Sequence, residues 1–299
     1  MTLRKIFLYN FSGSLKEKII YYITSLAIYS NDIFFGLQKD LGDFAIDIND
    51  LKARKFLNFM PTINYNKLAK VYDTLMESGL SDYYIKLLRG ILHAPIVKKT
   101  ILDLGCGTGT LLRRFSQKNE TWGIDASKAM LDIAKAKDHY STYRRMNIAT
   151  FKLPRRFDII ICAFDTINHL KLFRQWKQLF RKVAEHLKIG GIFIFDMNTP
   201  SKFRSIHNKI SVKKIPKGFV FMETVTKNNH CNWGIYILEQ IDPSKFRFST
   251  ERIVEVAFPL AAVRRELRRY FSIVKVVTTD TMKGRVFFVC KKKGGSADR

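Results

Sequence analysis

The sequence has 299 residues, 46% of them hydrophobic, and a formal net charge of +26. This length suits one large domain with an insertion or two small domains, and the apolar content is sufficient for a core. No stretch reaches the roughly 20 apolar residues of a membrane span, because polar residues interrupt the longest candidate, residues 19–35. That stretch also lacks the small-residue cleavage site of a secretory signal. We therefore expect no membrane span and no secretory leader.

The cysteines and histidines indicate neither a disulfide framework nor a metal site. No C-x-x-C pair occurs among the four cysteines, which predicts reduced thiols and a cytoplasmic location. The histidines at positions 93, 139, 186, 207 and 230 have no ligand spacing to a Cys, Asp or Glu, so we expect no bound metal. The cysteines are Cys106, Cys162, Cys231 and Cys290.

The positive charge has two interpretations. A charge of this size favours encounters with nucleic acid or anionic surfaces. It is also compatible with a solvated Lys- and Arg-rich surface, because no basic cluster is interleaved with aromatic residues as a stacking groove would be. The sequence leaves this alternative open, and it does not indicate the oligomeric state.

Two segments precede the first predicted strand. Residues 1–60 form an N-terminal extension whose role the sequence does not define. Residues 61–95 are predicted to be helical, because apolar residues recur at helical spacing from Tyr65 to Leu92. We expect the domain proper to span residues 61–299.

A glycine-rich turn follows the first strand. The run Ile101–Leu104 reads as a buried parallel strand, and Gly105, Gly107 and Gly109 follow at every second position. Glycines allow a tight turn and a close approach of a ligand to the backbone. The dinucleotide fingerprint G-x-G-x-x-G requires its third glycine one residue later, so a dinucleotide dehydrogenase is the weakest reading of this loop.

Further strand-to-loop junctions follow at regular intervals. A short strand ends at Asp125, and Ser127 is predicted to cap a helix from Lys128 to Lys137. The apolar run from Phe157 leads into a polar cluster that ends at His169. A helix from about Phe173 to Leu187 then leads to a Gly-Gly turn and the next strand. Ligands of open α/β sheets bind at such carboxyl ends of the strands.

The pattern changes after the fifth strand. Period-two alternation in Phe219–Glu223, Gly234–Leu238 and Phe246–Val256 predicts an antiparallel insertion spanning about residues 201–257. A helix from about Leu260 to Tyr270 and a closing hairpin of Ile273–Thr278 with Arg285–Cys290 complete the prediction.

The glycine loop, Asp125 and the Gly190-Gly191 turn, in this order, resemble class I methyltransferases that use S-adenosylmethionine, of the small-molecule type. The resemblance covers roughly residues 65–293. It implies a Rossmann-like doubly wound α/β sheet, mostly parallel with an antiparallel closing hairpin, plus the β insertion and the N-terminal helical lid of residues 61–95. In such enzymes the insertion roofs the substrate pocket.

The resemblance also implies the residues that hold the cofactor. Asp125, at the end of the second strand, is expected to accept hydrogen bonds from both ribose hydroxyls. Asn147 stands where the family often has an acid near the adenine amino group, and its amide oxygen can still accept from that group. Asn147 can equally be a turn residue. The full set of expected cofactor contacts is Tyr72, Asp103, Gly105, Cys106, Gly107, Gly109, Asp125, Ala126, Asn147, Ile148 and Ala163.

Asp165 and His169 are the candidate catalytic residues. They lie four positions apart after the fourth strand, so both can face one pocket. His169 is expected to orient the acceptor or act as a general base, because imidazole titrates near working pH. Asp165 could bind an amine of the substrate, orient His169, or simply cap a helix.

The expected function is methyl transfer to a nitrogen or oxygen of a small molecule. An RNA or protein methyltransferase is the alternative suggested by the charge, although the run Asp165–Asn168 lacks the [DN]-P-P-[FYW] motif of many base-modifying enzymes. A second alternative is a cofactor-binding scaffold without catalytic activity.

Overall fold

The structure is a computed structural model, and it describes residues 65, 67–76, 80–92, 95–242, 245–278 and 283–294. The predicted N-terminal extension, residues 1–60, lies outside the described residues. All described residues belong to one unit, Thr62–Arg299.

The central element is a seven-stranded sheet of order β10-β11-β5-β4-β1-β2-β3. The strands β1 to β5 are parallel, and β11 runs antiparallel to both of its neighbours. This arrangement confirms the predicted doubly wound sheet with a closing hairpin. The strands are β1 (Thr100–Leu104), β2 (Glu120–Asp125), β3 (Thr142–Arg145), β4 (Phe157–Cys162), β5 (Leu187–Asn198), β10 (Phe271–Thr278) and β11 (Arg285–Lys292).

Helices cover both faces of this sheet. The helices are α1 (Ala69–Leu75), α2 (Leu80–Leu92), α3 (Arg113–Ser116), α4 (Lys128–Lys137), α5 (Phe173–His186), α6 (Pro200–Ser205) and α7 (Leu260–Leu267). On one face Trp176 and Phe180 of α5 pack with Val263 of α7, and on the other face Tyr84 and Leu88 of α2 are fully buried. Burial of these faces provides the main driving force for folding.

The sequence predicted most element positions to within a few residues. Helix α4 has the predicted bounds, and Ser127 caps it by accepting a hydrogen bond from the Met130 amide. The helix after the glycine loop, α3, begins at Arg113. The helix predicted from about Phe173 does begin there, and a single 3-10 turn, Thr166–His169, lies between β4 and this helix.

A second, four-stranded antiparallel sheet of order β6-β7-β8-β9 follows α6. Its strands are β6 (Ile210–Ile215), β7 (Gly218–Lys227), β8 (His230–Asp242) and β9 (Lys245–Val256). Three of these were predicted. The sequence analysis missed β6, because this strand is largely exposed and rich in lysine and so shows little apolar alternation.

The insertion sheet holds helix α1 at both ends. The carboxylate of Glu251 accepts hydrogen bonds from the Lys67 and Leu68 amides at the start of the helix, at 2.5 and 3.2 Å. The ammonium of Lys213 donates to the Leu75 carbonyl at its end. An acid at the amino end and a base at the carboxyl end both complement the helix dipole.

Asn168 connects the two sheets. Its side chain is fully buried, donates to the carbonyls of Asn198 and Val256 at 3.0 Å each, and accepts from the Asn198 amide at 2.9 Å. One side chain thereby satisfies backbone groups at the ends of β5 and β9.

In the described ranges no helix is long and apolar enough to cross a membrane. Over the same ranges no group of three or more His, Cys, Asp or Glu side chains is placed to hold a metal ion.

We predict that Asn168→Ala lowers the free energy of unfolding by about 2–4 kcal/mol, because three buried backbone groups lose their partner. Urea denaturation measures this change. Gln178→Ala, at an exposed position of α5, is the control and should change stability by less than about 0.5 kcal/mol. Equal stabilities of the two variants would contradict the structural role of Asn168.

Candidate active site

One cavity of about 710 Å³ lies at the carboxyl ends of the parallel strands. The glycine loop after β1 and the end of β2 form one side, and the 3-10 turn after β4 forms the floor. Helix α1 and the insertion strands β7 to β9 contribute the opposite, largely apolar wall. The apolar residues of that wall include Leu68, Leu75, Met222, Trp233, Ile235 and Ile253.

The three glycines of the loop have different surroundings. Gly105, Gly107 and Gly109 all have positive φ, at 72°, 53° and 75°. A Cβ on Gly105 would lie 2.3 Å from Thr166, and one on Gly109 would lie 2.6 Å from the Tyr143 hydroxyl. A Cβ on Gly107 would meet only Tyr72, at 3.9 Å, so the backbone of Gly107 borders open space in the cavity.

Asp125 links the end of β2 to the glycine loop. Its Oδ2 accepts from the Gly107 amide at 2.9 Å, and its Oδ1 accepts from the Ser127 amide at 2.8 Å. Burial raises the pKa of this carboxyl, and the Ser127 and Gly107 amides oppose the rise by stabilising the charge. Two of about four lone-pair positions are used, so the carboxylate can accept further hydrogen bonds from a ligand in the cavity.

Helix α1 is joined to the glycine loop through Asp73. This carboxylate accepts hydrogen bonds from the hydroxyls of Thr108 and Thr110 and pairs with Lys137. Burial disfavours its ionised form, but the hydrogen bonds from Lys137 and Thr108 outweigh that effect and lower the pKa of Asp73. Tyr72 consequently faces the cavity beside Gly107.

His169 lies at the end of the 3-10 turn and is paired with Tyr65, which precedes helix α1. The Tyr65 hydroxyl and His169 Nε2 are 3.0 Å apart, and the two rings meet edge to face with centroids 5.7 Å apart. Burial lowers the pKa of His169 to about 4, against a smaller opposing effect of Asp125. At neutral pH the imidazole is therefore uncharged and available as a hydrogen-bond acceptor or base.

Asp165 belongs to a buried ionic network rather than to a pair with His169. Arg285 Nη2 lies 2.9 Å from Asp165 Oδ2, and Arg285 Nη1 lies 2.6 Å from Asp196 Oδ2. The Asp165 amide donates to Asp196, and the Tyr84 hydroxyl donates to the same carboxylate. Asp165 does not cap the 3-10 turn with its side chain.

Glu255 extends this network into the cavity from strand β9. Its side chain is 5% exposed, and its Oε2 accepts from Asn198 Nδ2 at 3.1 Å. Asn198 Nδ2 also donates to Asp165. Burial, followed by repulsion from Asp165, raises the pKa of Glu255 well above its usual range.

The predicted cofactor residues divide into two groups. The cavity wall includes Tyr72, Gly105, Gly107, Asp125, Ala126, Asn147 and Ile148, together with both predicted catalytic residues. The remaining four, Asp103, Cys106, Gly109 and Ala163, lie outside the cavity wall. Asp103 and Ala163 are each 2% exposed, and burial with a smaller effect of Asp125 raises the pKa of Asp103 to about 7. Asn147 is exposed and its Oδ1 accepts from the Ala149 amide, as a turn residue does.

The sequence analysis did not identify Glu255, Arg285, Asn198 or Trp233 as site residues. Arg285 is 120 positions from Asp165 along the chain, so no local spacing connects them. Glu255 lies on a strand with no motif. The sequence offered one signal for Glu255. Glu251 and Glu255 are four positions apart, so a strand places both carboxylates on the same face.

The chain is similar in sequence and in fold to known methyltransferases. The sequence profile of the family described as "Methyltransferase domain" matches residues 101–191. A solved S-adenosylmethionine-dependent methyltransferase from Clostridium acetobutylicum superposes with a TM-score of 0.67 and 25% identity, covering 77% of this chain and 99% of that one.

Two curated relatives illustrate the chemistry of similar sequences. A dTDP-3-amino-3,4,6-trideoxy-α-D-glucopyranose N,N-dimethyltransferase of Streptomyces venezuelae is 30% identical over 32% of this chain and 41% of its own length. A malonyl-[acyl-carrier protein] O-methyltransferase of Bacillus cereus is 29% identical over 48% of this chain and 52% of its own length. The chain spans only 41–61% of the first curated relatives it matches.

We predict that His169 remains uncharged at pH 6 and gains its proton only near pH 4. In the unfolded chain a histidine has a pKa near 6.5, so the folded state binds this proton more weakly. The contribution of His169 to stability is therefore complete above about pH 6.5 and decreases as the pH falls towards 4. NMR titration of ¹⁵N-histidine, assigned with His169→Gln, measures the pKa; a midpoint near 6.5 would contradict its burial.

Proposed function

Since residues 101–191 form a class I S-adenosylmethionine-dependent methyltransferase domain, we propose that the protein transfers a methyl group to a nitrogen or oxygen nucleophile of a small molecule. One observation carries this proposal. The glycine loop with Asp125, and the Tyr65–His169 pair with the insertion wall, border the same cavity. Donor and acceptor can therefore meet within one enclosure.

The residues at the glycine-loop side fit S-adenosylmethionine. Gly107 leaves open space against its backbone, and Asp125 retains lone pairs for two ribose hydroxyls. Ala126, Asn147 and Ile148 follow on the same side and would border the adenine. When bound, S-adenosylmethionine supplies a methyl group that a positively charged sulfur makes electrophilic.

The chain's own residues would then position a nucleophile and exclude water. The insertion wall and helix α1 surround the acceptor side with apolar groups, which favours alignment over hydrolysis. In the tautomer whose Nε2–H donates to the Tyr65 hydroxyl, uncharged His169 keeps Nδ1 as an acceptor for a hydrogen bond from an amine or hydroxyl of the methyl acceptor.

A small acceptor is favoured over RNA by the apolar wall of the cavity. Leu68, Leu75, Met222, Ile235 and Ile253 line it, and such a wall provides no ion pairs for a phosphate chain. Mixed RNA should therefore show only salt-sensitive surface binding, and a salt titration measures this. RNA binding that persists at high salt would instead support the nucleic-acid alternative.

We place the protein in the cytoplasm. The support is chemical: Cys106, Cys162, Cys231 and Cys290 are all free and buried, which suits a reducing compartment.

The test of the function is transfer of labelled methyl from S-adenosylmethionine to a defined acceptor panel. The panel contains amino-sugar nucleotides, simple amines and malonyl derivatives with a free carboxylate, the acceptor classes suggested by the relatives' names. Transfer to one class would identify it. A protein that binds the cofactor but transfers to none would instead be the non-catalytic scaffold.

We predict that Asp125→Ala weakens S-adenosylmethionine binding about 10- to 100-fold, because the ribose loses a charge-assisted hydrogen-bond pair. Calorimetry measures the affinity. Asp132→Ala removes an exposed carboxylate of α4 and is the control, with unchanged affinity expected. Asp125 has no place in the cofactor site if both variants bind alike.

We predict that His169→Ala lowers turnover at least about tenfold while cofactor affinity stays unchanged, because His169 faces the acceptor. Tyr65→Phe, which removes the hydrogen bond to His169, should lower turnover less. Full activity of His169→Ala would reduce this residue to a structural role.

A further inference from the structure

Around the proposed acceptor side of the cavity, carboxyl groups outnumber guanidinium groups. Three carboxyls, Asp165, Asp196 and Glu255, surround one guanidinium, Arg285. Arg285 contacts the two aspartates, and Glu255 has a hydrogen bond only from neutral Asn198 among the described side chains. Glu255 therefore borders the cavity without a direct ion pair to a cation of the described part of the chain.

A second, independent observation comes from Asn198. This side chain is 1% exposed and lines the same cavity, yet its Oδ1 has no hydrogen-bond partner within the described part of the chain. The Asn198 amide group must face this way, because only its NH₂ group can donate to the two carboxylates of Asp165 and Glu255. Among the described residues, the Asn198 Oδ1 acceptor has no partner and lies beside the Glu255 carboxyl, which has no ion pair. This arrangement points to a hydrogen-bond donor on a bound ligand.

We propose that Glu255 and Asn198 Oδ1 bind the methyl acceptor as an ammonium ion, and that Glu255 takes the proton that the amine must lose before it is methylated. This inference rests on the proposed function and narrows its acceptor from N or O nucleophiles to amines. An ammonium has several N–H donors, so one group can donate to both oxygens.

The proton step balances without any further reactant. The ammonium N–H bond breaks and its proton moves to the Glu255 carboxylate, which leaves a neutral amine with a free electron pair. That pair forms the new N–C bond as the S–C bond of the donor breaks, and the bonding electrons remain on sulfur. The methylated product is again an ammonium, which Glu255 can hold or release.

Other charged groups around Glu255 determine when it ionises. Repulsion from Asp165 and Asp196 raises the pKa of Glu255, and attraction to Arg285 lowers it. Half-buried Lys202 also borders the cavity and interacts with Glu255, and Tyr65 faces it from the lid. Burial, followed by repulsion from Asp165, raises the pKa of Glu255 and favours its protonated form when the cavity holds no cation. Binding of an ammonium favours the ionised form and should therefore expel a proton into solution.

The experiment compares two cofactor analogues by calorimetry. S-adenosylhomocysteine has a neutral sulfur, whereas sinefungin has a CH–NH₃⁺ unit at the position of the methyl-bearing sulfur, pointing to the acceptor side. We expect wild-type protein at pH 7 to bind sinefungin about 10- to 100-fold more tightly than S-adenosylhomocysteine. Titrations in buffers of different ionisation enthalpy should show about one additional proton released with sinefungin.

The variant Glu255→Gln should lose this preference and the additional proton, with S-adenosylhomocysteine affinity unchanged. Glu223→Gln, on the same sheet but outside the cavity wall, is the matched control and should behave as wild type. If Glu255→Gln does not fold, the proton count of the wild-type protein decides the question. Equal affinities and equal proton counts for the two analogues would overturn the proposal. Failure of wild-type protein to bind S-adenosylhomocysteine would instead overturn the proposed function.

Discussion

Arg285 bridges Asp165 and the buried Asp196, and the geometry of the His169 side of the cavity depends on this interaction. Its guanidinium joins strand β11 to the end of β5 through Asp196 and to the loop after β4 through Asp165. Phe164 and Asp165 both have positive φ, a conformation that non-glycine residues adopt at a cost of order 1–3 kcal/mol each. The network offsets this cost and fixes the 3-10 turn that positions His169. Removing one partner would leave a buried charge uncompensated.

Helix α1 couples the two sides of the cavity. Asp73 attaches it to the glycine loop, and Glu251 with Lys213 attaches its two ends to the insertion sheet. The same segment supplies Tyr72 beside Gly107 and Tyr65 against His169. One short segment, from Tyr65 to the end of helix α1, therefore contacts both the glycine-loop side and the His169 side of the cavity.

The sequence predicted the fold well because the sheet is strongly patterned. Buried parallel strands such as Ile101–Leu104 read as continuous apolar runs, and glycines and a capping serine mark the turns. The same reasoning placed Asp125 and Gly107 at the cavity, since both follow strands whose carboxyl ends share one edge. It did not separate Gly107 from Gly109, because only the neighbouring Tyr143 shows that Gly109 is required for packing.

By itself, the sequence determined the sheet, its strand-to-loop junctions and the donor side, because these depend on hydrophobic periodicity and on glycine's freedom at positive φ. Only the tertiary structure shows which residues meet on the proposed acceptor side of the cavity. Glu255, Asn198 and Arg285 come from three distant strands, and their proximity follows from sheet order and from how the insertion packs. Their protonation depends on burial and on neighbouring charges, which are properties of the folded chain and not of its sequence spacing.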